Sequence, residues 1–233
     1  MNTLLKAIKW DVFLIYKYGI VAVAFAIALI YSLVFLLVDT EGFEKLIVAL
    51  VFSDPVMYGF LFTAVIILFE KDANTHQVLA VTPLTTSQYI LSKTIVFSML
   101  ALVTGSGIMV AAWPEYFNLL WFFLAVVLSA ALFVFVGVVG VSYVNSFNEF
   151  ILIIPLVLAP VCLPFLPFFV LADSWLFYLI PTQASLLLFE ASVSKIENWQ
   201  LIYALLYLLV LNYLVYRWAY ASYNKRIIKT DRL

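Results

Sequence analysis

Six apolar runs, each close to twenty residues long and nearly free of charge, constrain this chain more than any other feature. They fall near 19–38, 46–69, 93–112, 117–144, 150–172 and 198–218. A run of that length matches the roughly 30 Å hydrocarbon core of a bilayer when it is helical. Inside lipid every backbone N–H and C=O must be bonded internally, which leaves the helix as the form such isolated runs can take. Composition agrees, with 67% hydrophobic residues, 11% charged and a mean hydropathy of +1.14. The fold class is therefore an all-α integral membrane protein of six transmembrane helices, forming a single unit over residues 1–233.

The placement of charge orients it. Of 12 Lys and Arg residues, Lys6, Lys9, Lys17, Lys71, Lys93, Arg217, Lys225, Arg226, Lys229 and Arg232 lie on the side of the termini or at its boundary. Lys45 and Lys195 alone fall opposite, beside Asp39, Glu41, Glu44, Glu115, Asp173, Glu190 and Glu197. The positive-inside rule then predicts cytoplasmic termini. For a chain of this type the expected location is a bacterial cytoplasmic membrane. A net charge of −1 gives no sign of nucleic-acid binding.

Several local signals refine the spans. The first apolar run is too long for a signal-peptide core and is followed by Val38-Asp39-Thr40-Glu41, so it is expected to stay in the mature protein. Residues 1–18 read as an interfacial amphipathic helix, with Leu5, Ile8, Val12, Ile15 and Tyr16 at helical spacing and Trp10 as a headgroup anchor. Ser53-Asp54-Pro55 is a helix-start signal and predicts a break in span two, with Leu46 to Phe52 as a separate or bent segment. Pro155, Pro160, Pro164 and Pro167 predict that span five kinks or ends early. The stretch from Ser174 to Glu190, cut by Pro181, predicts an outer-leaflet helical hairpin. Cys162 is expected to be a buried packing residue, and Asn212 an interhelical hydrogen bond.

Absences narrow the function. The central parts of all six spans are read as carrying no Asp, Glu, Lys, Arg or His, which disfavours an ion-coupled secondary transporter. No GxxxxGK[ST] motif is present, so no P-loop is expected in this chain. His76 is the only histidine, which excludes a multi-histidine metal site, and a serine nucleophile would lack a base. No catalytic residue and no metal ligand is assigned.

The remaining polar island, 70–92, joins spans two and three. Asn74 with Gln77 has capping-box spacing, Val78, Leu79 and Thr82 share a face, and Pro83 forces Thr82 out of helical dihedrals. Thr85 with Gln88 repeats the box and launches Tyr89-Ile90-Leu91-Ser92-Lys93 into span three. The pattern predicts a short helix across the loop, or an ordinary inter-span loop.

Glu70-Lys71-Asp72, Thr75, Leu79, Thr82-Pro83-Leu84, Tyr89-Ile90-Leu91 and Ser92-Lys93 resemble the corresponding loop of ABC-2 type exporter permeases, with Asn74 in place of the usual glycine. Trp10-Asp11, Tyr16-Lys17-Tyr18-Gly19, Phe52-Ser53-Asp54-Pro55, Asn148-Glu149 and Pro181-Thr182-Gln183-Ala184 extend the resemblance to the branch of fluoroquinolone export permeases. The resemblance implies a coupling helix at about 74 to 82, with His76, Gln77, Val78 and Leu79 seated on a partner ATPase. Thr75, Thr82 and Pro83 shape that helix, and Glu70, Lys71 and Asp72 hold its base. It implies two ATPase subunits per complex, which bind ATP and Mg, and a second permease chain, identical or homologous.

The resemblance also places the translocation path between two permeases, lined by spans one, two and five. Tyr31, Phe35, Met57, Phe60 and Thr63 are the candidates, suited to hydrophobic or amphipathic cargo such as drug-like molecules, peptides or lipids. The competing classes are an ion-coupled carrier and a non-transporting membrane scaffold or immunity protein.

Overall fold

The computed structural model describes residues 3–38, 42–73, 83–113, 117–171 and 174–228. Helices are the only regular elements among them: α1 (Thr3–Lys17), α2 (Ile20–Leu37), α3 (Glu44–Val56), a π turn (Met57–Phe62), α4 (Thr63–Asp72) and α5 (Thr86–Ala112). There follow α6 (Leu119–Ser142), α7 (Phe147–Cys162), α8 (Phe165–Phe168), a 3-10 turn (Trp175–Leu179), α9 (Pro181–Val193) and α10 (Asn198–Tyr223), which runs into a second π turn (Asn224–Ile228). Six helical stretches are long and apolar enough to cross a membrane, close to the six runs of the sequence. The expected coupling helix, with Thr75, His76, Gln77, Val78, Leu79 and Thr82, lies outside the described residues.

Helix α1 is separate from the first span, as its sequence predicts. It stops where Gly19 takes φ 73°, a left-handed conformation that costs glycine little. The apolar stripe divides: Ile8 and Ile15 pack inward, while Leu5, Val12, Tyr16 and Trp10 stay exposed, as suits a helix lying at a lipid boundary. The inward face also carries Asp11, which is buried.

Span two is not broken at Pro55. The helix runs from Glu44 to Asp72, 29 residues, or about 43 Å, so Leu46 to Phe52 are part of the crossing helix and not a separate segment. Proline removes the N–H that would bond Val51, and the ladder absorbs this by widening into the π turn just beyond it. Tertiary packing explains why a helix-start signal is overridden. At the π turn the backbone lies directly on α6: a Cβ added to Gly59 would sit 2.7 Å from Phe133 Cβ and 2.9 Å from the Ala130 carbonyl oxygen. Gly137 faces it from α6, where a Cβ would come 2.8 Å from the Phe60 carbonyl oxygen. Small residues permit this approach, and the packing gained there favours continuity of the helix.

Helix α6 is the centre of the bundle, packed by α3, the π turn, α4, α5, α9 and α10, while α1 and α2 lie on α5. Asn212 of α10 donates to the Leu128 carbonyl of α6 at 3.1 Å, the interhelical bond its position in an apolar span suggested. Helices α2, α7 and α10 present most of their surface outward. Helix α7, carrying Pro155 and Pro160, ends early at Cys162 as expected. Cys162 is exposed, contrary to the expectation of burial, because α7 buries only Phe150 and turns the rest of its surface away from the bundle.

The 174–190 segment forms two helical pieces, but they are not a hairpin held apart in one leaflet. Pro181 opens α9, and Thr182 through Phe189 are buried against α3, α6 and α10. At 13 residues, about 20 Å, α9 is too short to cross and instead fills the interior of one end of the bundle. That end also holds the starts of α3, α6 and α10, with Asn118 N–H donating to the Ser192 carbonyl at 2.7 Å. The opposite end gathers α1, the end of α4, the start of α5 and the end of α10.

Candidate functional site

The capping box at Thr85 fixes the start of α5. Gln88 N–H donates to Thr85 Oγ1 at 3.3 Å, and Thr85 N–H donates to Gln88 Oε1 at 3.1 Å. This sets the helical phase so that Tyr89, Ser92 and Lys93, three and four residues apart, point together toward α1 and the last turn of α4. Lys93 Nζ donates to Asp11 Oδ1 of α1 and to Glu70 Oε1 of α4, both at 2.9 Å. Tyr89 donates to Glu70 Oε2, and Ser92 donates to Asp11 Oδ2. The Lys93 ammonium also lies 4.5 Å from the Tyr89 ring centre.

All five residues are buried, Lys93 completely. Two carboxylates surround one ammonium, so the cluster has a charge to spare when all three are ionised. Burial accordingly holds the Asp11 carboxyl above the usual carboxylate range. The nearby Glu70 charge adds to this, against the opposing pull of Lys93 and the Ser92 hydroxyl. The arrangement is an internally bonded ionic cluster. It ties three helices together by charge-assisted bonds at one end of the bundle.

Neighbouring contacts extend this frame. Lys71 Nζ donates to the carbonyls of Val141 at 2.9 Å and Val144 at 2.8 Å, placing a cation on the C-terminal end of α6. Thr86 bonds Asn224 at 2.7 Å, and Tyr216 donates to Ser87 at 2.9 Å, so the start of α5 is also held by α10 and the π turn that follows it. Asp72 is exposed. Pro83 is exposed too, and with Leu84, Trp10 and Tyr89 it lines a mainly apolar cavity of about 310 Å³. Both ends of the 73–85 connection are therefore anchored in the bundle.

Glu70, Lys71 and Pro83 thus lie at the two ends of one connection, whereas Asp11, Tyr89, Ser92 and Lys93 were not assigned to a site from sequence. The signal for them was an acidic residue on the inward face of an otherwise basic helix, together with hydroxyls spaced for the same face as a lysine. The candidate path residues do not share one surface. Phe60 and Thr63 are buried, with Phe60 against Phe150, while Tyr31 and Phe35 are half-buried and Met57 is exposed.

One expectation is overturned here. Because the second span is continuous, Asp54 is not a cap at a helix start. It lies about 15 Å along the crossing helix, buried, accepting from Thr104 of α5 at 2.7 Å, with the Tyr58 hydroxyl beside the pair. An ionisable group does sit inside a span.

The family model for fluoroquinolones export permease proteins matches residues 2–231. The chain belongs to that family. No curated protein matches it. Since the match takes in every described helix, the export permease is a multi-pass membrane protein whose ionic frame, Asp54 pair and α9 insertion all belong to the family-matched region.

Proposed function

We propose that this export permease is the transmembrane subunit of an ATP-driven ABC exporter that moves hydrophobic or amphipathic compounds out of a bacterial cell by alternating access. The observation that carries the reading is the buried frame of Asp11, Glu70 and Lys93 around the loop whose motifs resemble an ABC-2 coupling loop. A loop that receives force from a partner must pass it to whole helices, and side chains free to swing would dissipate it. Here the entry of the loop, its exit and α1 are bonded to one another. Two ATPase subunits holding ATP and Mg would seat the 74–82 segment through His76, Gln77, Val78 and Leu79. The termini and this loop would face the cytoplasm. A second permease chain, identical or homologous, would cover part of the outward surface of α2, α7 and α10, with the path between the two copies and Tyr31, Phe35 and Met57 near it.

The test is reconstitution of the permease with its ATPase in liposomes. ATP-dependent flux and co-purification are the expected results, and Leu79→Asp is expected to abolish both by placing a charge in an apolar seat. Stable folding of the variant is checked by its melting profile. Flux driven by a proton gradient with no ATPase present overturns the reading.

Asp54 favours a second reading, an ion-coupled carrier, because buried carboxyls inside spans bind coupling protons in such proteins. Asp54→Asn keeps an acceptor for Thr104 and removes the titratable group. ATP-driven export is expected to survive this change, whereas a carrier would lose gradient-driven flux.

A further inference from the structure

At the end of the bundle opposite α1 and the end of α10, a second cavity of about 360 Å³ lies between the start of α3, the chain after α7, α9 and the start of α10. Lys45, Gln183, Glu190 and Gln200 supply its polar wall, and Phe168 and Tyr178 its apolar one. The size suits a small ligand or a headgroup.

Three features distinguish it from a packing gap. The side-chain amide oxygen of Gln183 is buried and has no hydrogen-bond partner, although an unbonded buried acceptor is costly. Lys45 and the half-buried Glu190 both line the cavity and interact electrostatically. Neither is in an ion pair among the described residues, and Lys45 rests 5.6 Å from the Phe168 ring centre instead. Val170, on the apolar side, holds φ 61°, a left-handed conformation that a β-branched residue adopts only when its surroundings impose it.

A simple anion placed here would meet Glu190, and a simple cation would meet Lys45. An ammonium separated from an anionic group by a short linker satisfies both, and its N–H bonds reach the Gln183 oxygen. We propose that this cavity binds the headgroup of an ammonium zwitterion such as phosphoethanolamine, with its anionic group at Lys45 and its N–H donors at Glu190 and Gln183. The aromatic wall accepts the adjoining apolar part. This site is independent of how the permease is driven, so failure of the exporter reading leaves it standing, and the reverse also holds.

The test is native mass spectrometry of the purified full chain equilibrated with equal amounts of phosphatidylethanolamine, phosphatidylcholine and phosphatidylglycerol. Phosphatidylcholine has no N–H to donate, and phosphatidylglycerol has no cation. Retention of phosphatidylethanolamine is expected to exceed that of the other two by about tenfold, the value of one charge-assisted hydrogen bond. Gln183→Leu and Glu190→Gln are each expected to reduce it to the phosphatidylcholine level. Equal retention of all three lipids by the unmodified chain overturns the proposal, a result that does not depend on any variant folding. Undiminished selectivity in both variants also overturns it. Competition by glycerophosphoethanolamine identifies the source: displacement of the lipid marks a site for free zwitterions, and no displacement marks one for membrane lipid.

Discussion

Replacing Lys93 with methionine is expected to destabilise the permease by about 3 to 5 kcal/mol, the usual cost of removing one partner from a buried ion pair. Methionine fills much the same volume, so the loss is electrostatic in origin. Asp11 and Glu70 would be left facing each other in a buried site with no cation between them. They relieve the repulsion by taking up a proton or by opening the α1–α4–α5 junction to water. The measurement is the melting midpoint of the detergent-purified chain, with its abundance in membranes as a second readout. The triple variant Lys93→Met, Asp11→Asn, Glu70→Gln is expected to recover a large part of the loss, because neutral partners need no counter-charge. A triple variant no more stable than the single would show that the three residues are not energetically coupled.

Gly137→Val is also expected to be damaging, for a different reason. Its first side-chain carbon would sit 2.8 Å from one backbone oxygen of the π turn and 3.0 Å from another, and neither can rotate aside. Overpacking of a core typically costs about 1 to 3 kcal/mol, and here it falls where two helices touch backbone to backbone. Gly107→Val in α5 is the control, since nothing lies within 4 Å of the added carbon there. The contrast in melting midpoint between the two variants separates steric cost from the general effect of replacing a helical glycine. Equal midpoints would mean that α6 and the π turn are not closely packed.

The parts of this fold that were legible in the sequence are those set by local chemistry. The six runs, the Thr85–Gln88 box, the separate α1 and the early end of α7 follow from apolar length, capping and proline, which act within a few residues. The parts that were not legible depend on neighbours distant in sequence. Ser53-Asp54-Pro55 carries a sound helix-start signal, and only contact with α6 through Gly59 and Gly137 makes the helix continue through it. Reading Asp54 as a cap then hid a buried carboxyl. Lys93 resembled a boundary lysine at the head of a span because its partners lie on α1 and α4, and a charge count along the chain cannot pair them. Cys162 was misread for the same reason: an apolar neighbourhood in sequence says a residue avoids water, not that protein surrounds it.

The π turn at Met57–Phe62 fixes how the two buried carboxyls of span two, Asp54 and Glu70, are aimed. A π turn accommodates one residue more than the α-helical turn it replaces, while the helices on either side keep their own winding. Asp54, before it, looks at Thr104 of α5, and Glu70, after it, looks at Lys93 of the same helix. Measured by rotation, their separation is therefore one residue shorter than by count. In an uninterrupted α-helix of the same sequence, Glu70 would be turned by about 100° away from Lys93. The widened turn acts as a phase corrector, letting one helix address one neighbour at two levels of the bundle.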